Sequence, residues 1–362
     1  MQTYQFRLYH SDKEKYLERH LDTACEIYNH CIALHWRYYR MFGKSLGAYQ
    51  LKTHITKLKK TSRYANWKSL NSQAIQNIAE RIDLSYKAFF SHMKEHRSGR
   101  KRPPHFRKRK DYASFTLKQT GYRIEENIIY LMGKRFKLHG WRPIEGKIKT
   151  VTVKKKPTGK WFVFVVTDRK PVRNYAKTGK AVGIDFGLKD FLVLSSGEKI
   201  QSPEYLKHSL SELRRKSRNY SLKVDGSKRK EKARKELVSL HEKVSRQRRD
   251  AFFKLANMLC KEYDILAIED LNLDGMKRLW GRKVSDLSYA EFVGILSYVA
   301  ETACKEVRKI GRWEVTTKRC HVCGTHHSLT LSERSWICPH CGAVHDRDVN
   351  AAINILNRAL LA

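Results

Sequence analysis

The chain has 362 residues, 41% hydrophobic and 11% aromatic, with 74 Lys+Arg against 36 Asp+Glu and a formal net charge of +38. That apolar share supports two or three packed domains and excludes a disordered basic tail. So large a positive surplus repels itself unless a polyanion neutralises it, which points to nucleic acid. With no apolar run long enough to span a bilayer, no signal peptide and no lipidation motif, no membrane partner is expected.

Residues 2–9 alternate and read as one strand. From about residue 11 to 95 the period is helical: Leu17, Leu21, Cys25 and Tyr28 form one stripe, and Ala74, Ile78, Ile82, Tyr86 and Phe89 another, with Asn71 or Ser72 as a cap. Both stripes read as core of a small helical bundle. Residues 97–110 break the pattern with Gly99 and Pro103-Pro104, and eight of these fourteen residues are basic. A run so dense, without compensating acids, suits phosphates, with Arg107 and Lys108 among the candidates. Strands are expected over 114–117, 128–131, 148–153 and 161–166, separated by Gly, Asn and Pro turns. The N-terminal strand joins them most naturally, which makes 11–104 a helical insertion in a split β domain.

Residues 171–180 read as a linker, and an α/β unit begins at Ala181 with strands over 182–185 and 191–194. Residues 204–262 are mostly helical, broken near 224–227, with sixteen basic residues against seven acidic ones between Glu204 and Asp250. Leu237, Leu240, Val244 and Leu255 keep one face packed. Arg214, Arg215, Lys216, Lys228, Arg229, Lys230, Arg234 and Arg248 supply a positive surface suited to a phosphate backbone.

Cys320-His-Val-Cys323 and Cys338-Pro-His-Cys341 are two C-x-x-C knuckles fourteen residues apart, each followed by a glycine that fits the turn. Four thiolates on two such turns complete a closed site for one structural Zn²⁺, with no open position for catalysis. His321, His326, His327, His340 and His345 read as spectators, His345 being of interest because it adjoins an acidic motif. Cys25, Cys31, Cys260 and Cys304 lie singly in apolar contexts and read as inert core residues.

Three acids stand out. Asp185 ends the strand Val-Gly-Ile-Asp, with Gly183 and Gly187 placed to allow close approach of substrate or metal; Asp190 is the more structural acid nearby. Glu269 ends Ile-Leu-Ala-Ile-Glu with Asp270 as its rival, and strand alternation lets only one of them enter a site. Asp348 opens the helix 349–360 with Asp346 as its rival, and Asn350 is placed to hydrogen-bond near the helix start. Carboxylates at strand ends are costly to bury without a cation. Three of them in a basic chain suggest a site for two Mg²⁺ ions and phosphodiester hydrolysis, one ion activating water and the other steadying the leaving oxygen. No Walker phosphate loop and no G-x-S-x-G elbow occur, which sets aside ATPase and serine-hydrolase chemistry.

Taken in order, these pieces resemble TnpB, the family of RNA-guided DNA endonucleases of insertion sequences related to type V CRISPR effectors. The resemblance runs nearly end to end: Tyr28-Asn-His30, Ala74-Ile-Gln-Asn77, Tyr86-Lys-Ala-Phe-Phe90, Phe106-Arg-Lys-Arg109, Gly183-Ile-Asp-Phe-Gly-Leu-Lys-Asp190, Gly226-Ser-Lys228, Glu269-Asp-Leu271, both knuckles, and Asp346-Arg-Asp-Val-Asn-Ala-Ala352. It implies an α+β multidomain fold: a split β-barrel (wedge) over 1–10 and 105–175 with the helical recognition domain 11–104, an RNase H-like RuvC nuclease domain over 176–316 and 346–362 with a basic helical insertion at 204–262, and a zinc ribbon over 317–345. It further implies Asp185, Glu269 and Asp348 as the nuclease triad holding Mg²⁺, and a short target-adjacent motif read near Gln76, Phe115 and Thr116. The implied partners are a guide RNA from the protein's own element and target double-stranded DNA, one protein per RNA, in a prokaryotic cytoplasm and on the nucleoid when DNA-bound. A transposase or accessory DNA-binding protein, or a guided binder without cleavage, are the alternatives; the intact acids argue against the last, and the knuckles just before the third acid favour the RuvC arrangement over a transposase.

Overall fold

Alternation in Gln-Thr-Tyr-Gln-Phe-Arg-Leu puts Tyr4, Phe6 and Leu8 on one face of strand β1 (Gln2–Leu8), and all three are buried. The structure is a computed structural model and describes all residues except 96–100, 188, 203, 271–280, 282–286, 312–313, 331–332 and 362. Residues 97–100 of the basic run, Leu188, and Leu271 and Asn272 of the second acidic motif therefore lie outside the described residues. The chain divides into two units, Met1–Lys170 and Pro171–Ala362. No described helix is long and apolar enough to cross a membrane.

In the first unit, β1 is followed by helices α1 (Glu14–Phe42), α2 (Ala48–Leu58) and α3 (Ser72–Lys94), then by strands β2 (Ser114–Leu117), β3 (Tyr122–Glu125), β4 (Ile128–Leu131), β5 (Lys134–His139), β6 (Ile148–Lys155) and β7 (Trp161–Thr167). The seven strands form one antiparallel sheet in the order β2-β6-β7-β1-β5-β4-β3, so the N-terminal strand sits in the middle and the helices interrupt the sheet in sequence. Leu17, Leu21 and Cys25 of α1 and Ala74, Ile78, Ile82 and Tyr86 of α3 are buried in the same core as the inward residues of the sheet. Asn71 is the cap of α3: its side-chain oxygen accepts the Gln73 N–H at 2.9 Å. Strands β3 and β5 were not expected, because Tyr-Arg-Ile-Glu and Lys-Arg-Phe-Lys-Leu-His carry too few apolar residues to stand out; Phe136 and Leu138 alone bury the latter.

In the second unit, strands β8 (Ala181–Asp185), β9 (Leu192–Leu194), β10 (Lys199–Ile200), β11 (Ile265–Glu269) and β12 (Glu306–Ile310) form a mixed sheet in the order β10-β9-β8-β11-β12. β8, β11 and β12 run parallel, and β9 and β10 are antiparallel additions. Helices α4 (Tyr205–Ser221), α5 (Lys228–Glu262), α6 (Tyr289–Thr302) and α7 (Arg347–Leu361), and the hairpin β13 (Ser335–Ile337) and β14 (Val344–Asp346), complete it. The sheet has two distinct faces. Val182, Ile184, Leu266 and Ile268 pack with Phe252 of α5 and Phe292 and Leu296 of α6. Ala267, on the opposite face, clusters with Ile310 and with Ile355 and Ala359 of α7.

Residues 171–180 contain no helix or strand, yet they are pinned. The Asp264 carboxylate accepts the N–H groups of Thr178 and Gly179 at 2.9 and 2.7 Å and pairs with the buried Lys305, whose Nζ also donates to the Ala176 carbonyl at 2.7 Å. One core reading is corrected. Cys304 is exposed and left-handed (φ 54°) just after α6, because the helix ends there and the chain turns toward β12.

Candidate active site and metal centre

The parallel register of β8 and β11 brings two of the acids side by side. Ile265 to Ile268 pair with Ala181 to Ile184, and the next residues on the two strands are Glu269 and Asp185. Alternation places both on the face of Gly183 and Ala267, the face covered by α7. The helix lies close on this face because the residues beneath it are small. A Cβ on Gly183 would overlap the Ala352 carbonyl oxygen and fall 2.9 Å from the Leu356 backbone nitrogen and Cβ. Asp348, in the first turn of α7, thereby joins the pair.

The three carboxylates interact. Burial first, then the charges of Asp348 and Glu269, push Asp185 up to about 7, against the Phe186 N–H and Arg347 acting the other way. Glu269 is raised by burial and then by the charge of Asp270. Asp348 is half-buried and met by two guanidinium groups, Arg334 Nη1 3.1 Å from one carboxylate oxygen and Arg347 Nε 3.3 Å from the other.

The local structure separates the rivals. Asp346 caps α7: its Oδ1 accepts the N–H groups of Asp348 and Val349 at 3.0 and 3.1 Å, and its Oδ2 pairs with Lys199 Nζ at 2.6 Å. Burial raises its carboxyl, but Lys199 and these N–H groups outweigh that and hold it below the usual range. Asp270 is exposed, whereas Glu269 is half-buried. Asp190 is buried and hydrogen-bonded by the Gln201 amide, as befits a structural acid.

The two glycines beside Asp185 serve a different purpose from the one their positions suggested. Gly183 admits helix α7, and a Cβ on Gly187 would fall 2.7 Å from the Asp190 carbonyl oxygen, so both allow chain to meet chain. The sequence also gave no hint of Tyr289. This buried phenol donates to the Gly187 carbonyl at 2.6 Å and packs its ring on Phe186, fixing the turn that follows Asp185. Burial first, and then the Asp185 charge, raise the Tyr289 phenol beyond its ordinary range.

Among the described residues, Cys320, Cys323, Cys338 and Cys341 are the one group of metal-competent side chains whose ligand atoms all lie within 4.8 Å of one another. Cys320 and Cys341 sulfurs are 3.7 Å apart and Cys323 and Cys338 sulfurs 3.6 Å. Each knuckle closes as a tight turn, Gly324 N–H to Cys320 O at 2.9 Å and Gly342 N–H to Cys338 O at 2.8 Å, with both glycines left-handed (φ 77° and 71°). The all-sulfur donor set and this spacing suit a tetrahedral Zn²⁺. His345 belongs to this cluster and not to the acids: its Nε2 is 3.1 Å from Cys320 Sγ and its ring lies 4.5 Å from that of Trp336.

Asn350 and Asn354 tie this cluster to α7. Buried Asn350 accepts the His321 N–H at 3.0 Å and donates to the Arg319 carbonyl at 2.8 Å; Asn354 donates to the Thr316 carbonyl at 2.8 Å and the Arg319 carbonyl at 2.6 Å. The first knuckle is thus bolted to the helix that carries Asp348.

The nucleic-acid candidates divide. Arg107, Lys108, Arg214, Arg215, Lys228, Arg229 and Gln76 are exposed. Phe115 is corrected: it is 1% exposed and packs into the core of the first unit, because the inward side of β2 needs an apolar residue there. Thr116 is half-buried and its hydroxyl is 2.8 Å from that of Thr152 on β6. A groove of about 920 Å³ lies between α4 and α5, lined by Lys216, Lys228, Lys232, Lys235 and Lys243 with Glu212, Glu231 and Glu236, and none of the three acids opens into it.

Residues 162–279 match a family described as "Probable transposase", the OrfB_IS605 family, and residues 289–355 match a family described as "Cas12f1-like, TNB domain". The chain is 29% identical to a "Putative RNA-guided DNA endonuclease" of Streptomyces pristinaespiralis, covering 99% of this chain and 89% of that one. It is 24% identical to "Putative RNA-guided DNA endonuclease InsQ" of Escherichia coli K12, over 98% and 92%. A solved Cas12f1 bound to sgRNA and target DNA superposes with a TM-score of 0.62 at 16% identity, over 96% of this chain and 83% of that one. The fold is α+β and shares its architecture with that Cas12f1 structure. Over nearly its whole length the chain is similar to relatives named as RNA-guided DNA endonucleases.

Proposed function

We propose that the protein is an RNA-guided DNA endonuclease whose reacting centre is Asp185, Glu269 and Asp348. One observation carries this reading: two strand-end carboxylates in adjacent parallel register meet a third from the helix packed on the same face, where burial first, and then the charges of the other two, lift Asp185 to about 7. Mutual repulsion of this kind is relieved by a cation, and an all-carboxylate donor set fits Mg²⁺. Asp185, Glu269 and Asp348 would hold the ions, which supply Lewis acidity and lower the pKa of water for attack on a phosphodiester.

The chain's own residues do the rest. Tyr289 and Gly187 fix the turn after Asp185, Gly183 seats α7, and Asp346 with Lys199 caps that helix so that Asp348 faces the other two acids. Asn350 and Asn354 hold the thiolate cluster, which binds one structural zinc, against the same helix. Arg334 and Arg347 place positive charge beside Asp348, where a phosphate would arrive. The α4–α5 groove, with Arg214, Arg215, Lys228 and Arg229 around it, is assigned to the guide–target duplex, recognised by backbone and shape. The helices of 11–104 serve as recognition domain and the split sheet as wedge, with Gln76 and Thr116 among the residues reading a short flanking motif.

The test is plasmid cleavage by protein purified with its native element RNA, beside RNase-treated and spacer-swapped controls. Cutting should need Mg²⁺ and RNA and should follow the rewritten spacer. Equal, spacer-independent cutting in all three leaves a transposase or a non-specific nuclease instead.

A further inference from the structure

The second half of α1 buries its apolar residues on one side and leaves large aromatic residues on the other. Trp36 is 41% exposed, Tyr39 47% and Phe42 56%, and Phe106 from the basic run beyond α3 is 47% exposed. Trp36 and Tyr39 are three residues apart, so they share a helix face, and Arg40 follows on the same face. The Phe106 ring stands 4.9 Å from the Trp36 ring at 64°, and the Tyr39 ring lies 6.1 Å from that of Phe90. Exposed aromatic residues grouped like this mark an interaction surface.

These rings are fixed in place. Asn29 grips the backbone of Arg107 from both sides, its oxygen accepting the Arg107 N–H and its amide donating to the Arg107 carbonyl, each at 2.8 Å. Tyr28 donates to the His105 carbonyl at 3.2 Å. Phe106, between those two residues, is thereby held against Trp36. The stretch 105–109 is therefore held along α1, and Asn29 is the residue that grips its centre.

The surrounding charge names the occupant. Residues 31–44 contain Arg37, Arg40 and Lys44 and no acid, and residues 101–110 contain six Lys or Arg and no acid. A second copy of a chain of net charge +38 would bring the same cations against themselves. A nucleic-acid strand offers the complement of both features: flat bases for the rings and phosphates for the cations.

We propose that Trp36, Tyr39 and Phe106 form a stacking platform for unpaired bases of a single nucleic-acid strand, with Arg40 and Arg107 meeting its phosphates and Asn29 positioning Phe106. The platform rests on the nucleic-acid reading above and adds a site that recognises bases lifted out of a duplex.

The experiment uses full-length protein stripped of bound RNA in high salt. Its probes are single-stranded RNA and DNA of about twelve nucleotides, an abasic phosphodiester of equal length, and a duplex. Wild type should bind the base-bearing strands more tightly than the abasic one. Trp36→Leu should weaken base-bearing strands by about fivefold or more and leave the abasic strand and the duplex unchanged. Trp36→Phe should restore most of the loss, and Tyr39→Ala and Asn29→Ala should show the same base-dependent loss while melting as cooperatively as wild type. Preference for RNA or DNA identifies the source of the strand. Unaltered affinity of Trp36→Leu and Tyr39→Ala for base-bearing strands overturns the platform while tight, salt-dependent binding keeps the broader reading. So does a dimer-to-monomer change in Trp36→Leu without an affinity change, which makes a second copy the occupant. Absence of binding to every probe by wild type overturns the nucleic-acid reading itself.

Discussion

Lys199 Nζ lies 2.6 Å from Asp346 Oδ2, while the other oxygen of Asp346 caps helix α7 through the N–H groups of Asp348 and Val349. An acid engaged this way orients a helix and has little lone-pair capacity left for an ion. Asp348, two residues further on in the first turn of α7, is the acid of the two whose charge reaches Asp185. Two carboxylates only two residues apart thus have separate tasks.

Exchanging either for alanine separates those tasks. Asp348→Ala should abolish cleavage and leave RNA and target binding nearly unchanged, because affinity resides in many Lys and Arg contacts. Asp346→Ala should lose a cap worth about 0.5–2 kcal/mol, lower the melting temperature, and reduce cleavage without removing it. Cleavage rates and binding constants measured side by side decide the assignment; an active Asp348→Ala beside a dead Asp346→Ala would reverse it.

Gly183→Ala should act through α7. The added methyl has no room against the Ala352 carbonyl and Leu356, so the helix must shift away from β8. Overpacking of this kind costs about 1–3 kcal/mol, and the shift withdraws Asp348 from Asp185. Cleavage should fall steeply while zinc content stays at one per chain. Gly294→Ala is the control: it sits within α6 with nothing within 4 Å of the added carbon, and it should leave cleavage unchanged and stability equal or slightly higher.

The parts legible in the sequence were those whose signal is local. Cys320, Cys323, Cys338 and Cys341 announce themselves by spacing, and Asp185 and Glu269 by the apolar strands they terminate. Choosing between neighbouring acids was different in kind, since Asp346 is set apart by a lysine 147 residues away. Phe115 shows the converse error: resemblance placed it on a recognition surface, while its strand needed an apolar side chain inward. Asn350 and Tyr289 were missed as anchors because their partners, His321 and Gly187, lie 29 and 102 residues distant. The outward aromatic residues of α1 escaped because a helical stripe is read from its buried side.

The raised carboxyl of Asp185 gives the protein a pH dependence that runs opposite to that of a paired acid. Its folded value of about 7 lies above the unfolded value of about 3.9, so between them the folded state binds the extra proton. With divalent cations chelated, this group should therefore make stability fall as pH rises from about 4 to about 7 and level off above. Asp185→Asn should remove that slope and melt higher than wild type at pH 8 in chelator. Added Mg²⁺ should raise the wild-type melting temperature more at pH 8 than at pH 6, because binding at the lower pH must first displace a proton. A Mg²⁺-induced shift that is equal at both pH values, or unchanged in Asp185→Asn, would remove Asp185 from the ion site.

Zinc and catalysis should be linked through two asparagines. Cys323→Ala or Cys338→Ala should lose the metal, and structural zinc contributes about 10–16 kcal/mol of apparent binding in small domains, so the C-terminal part of the second unit should loosen. Asn350→Ala isolates the linkage from the metal. It keeps all four thiols but leaves the His321 N–H without its buried acceptor, a cost of about 1–3 kcal/mol, while the Arg319 carbonyl keeps the Asn354 amide. Metal analysis of that variant should still find about one zinc per chain, while cleavage falls at unchanged RNA affinity. If Asn350→Ala cuts at the wild-type rate, the cysteine cluster stabilises its own segment and does not position Asp348.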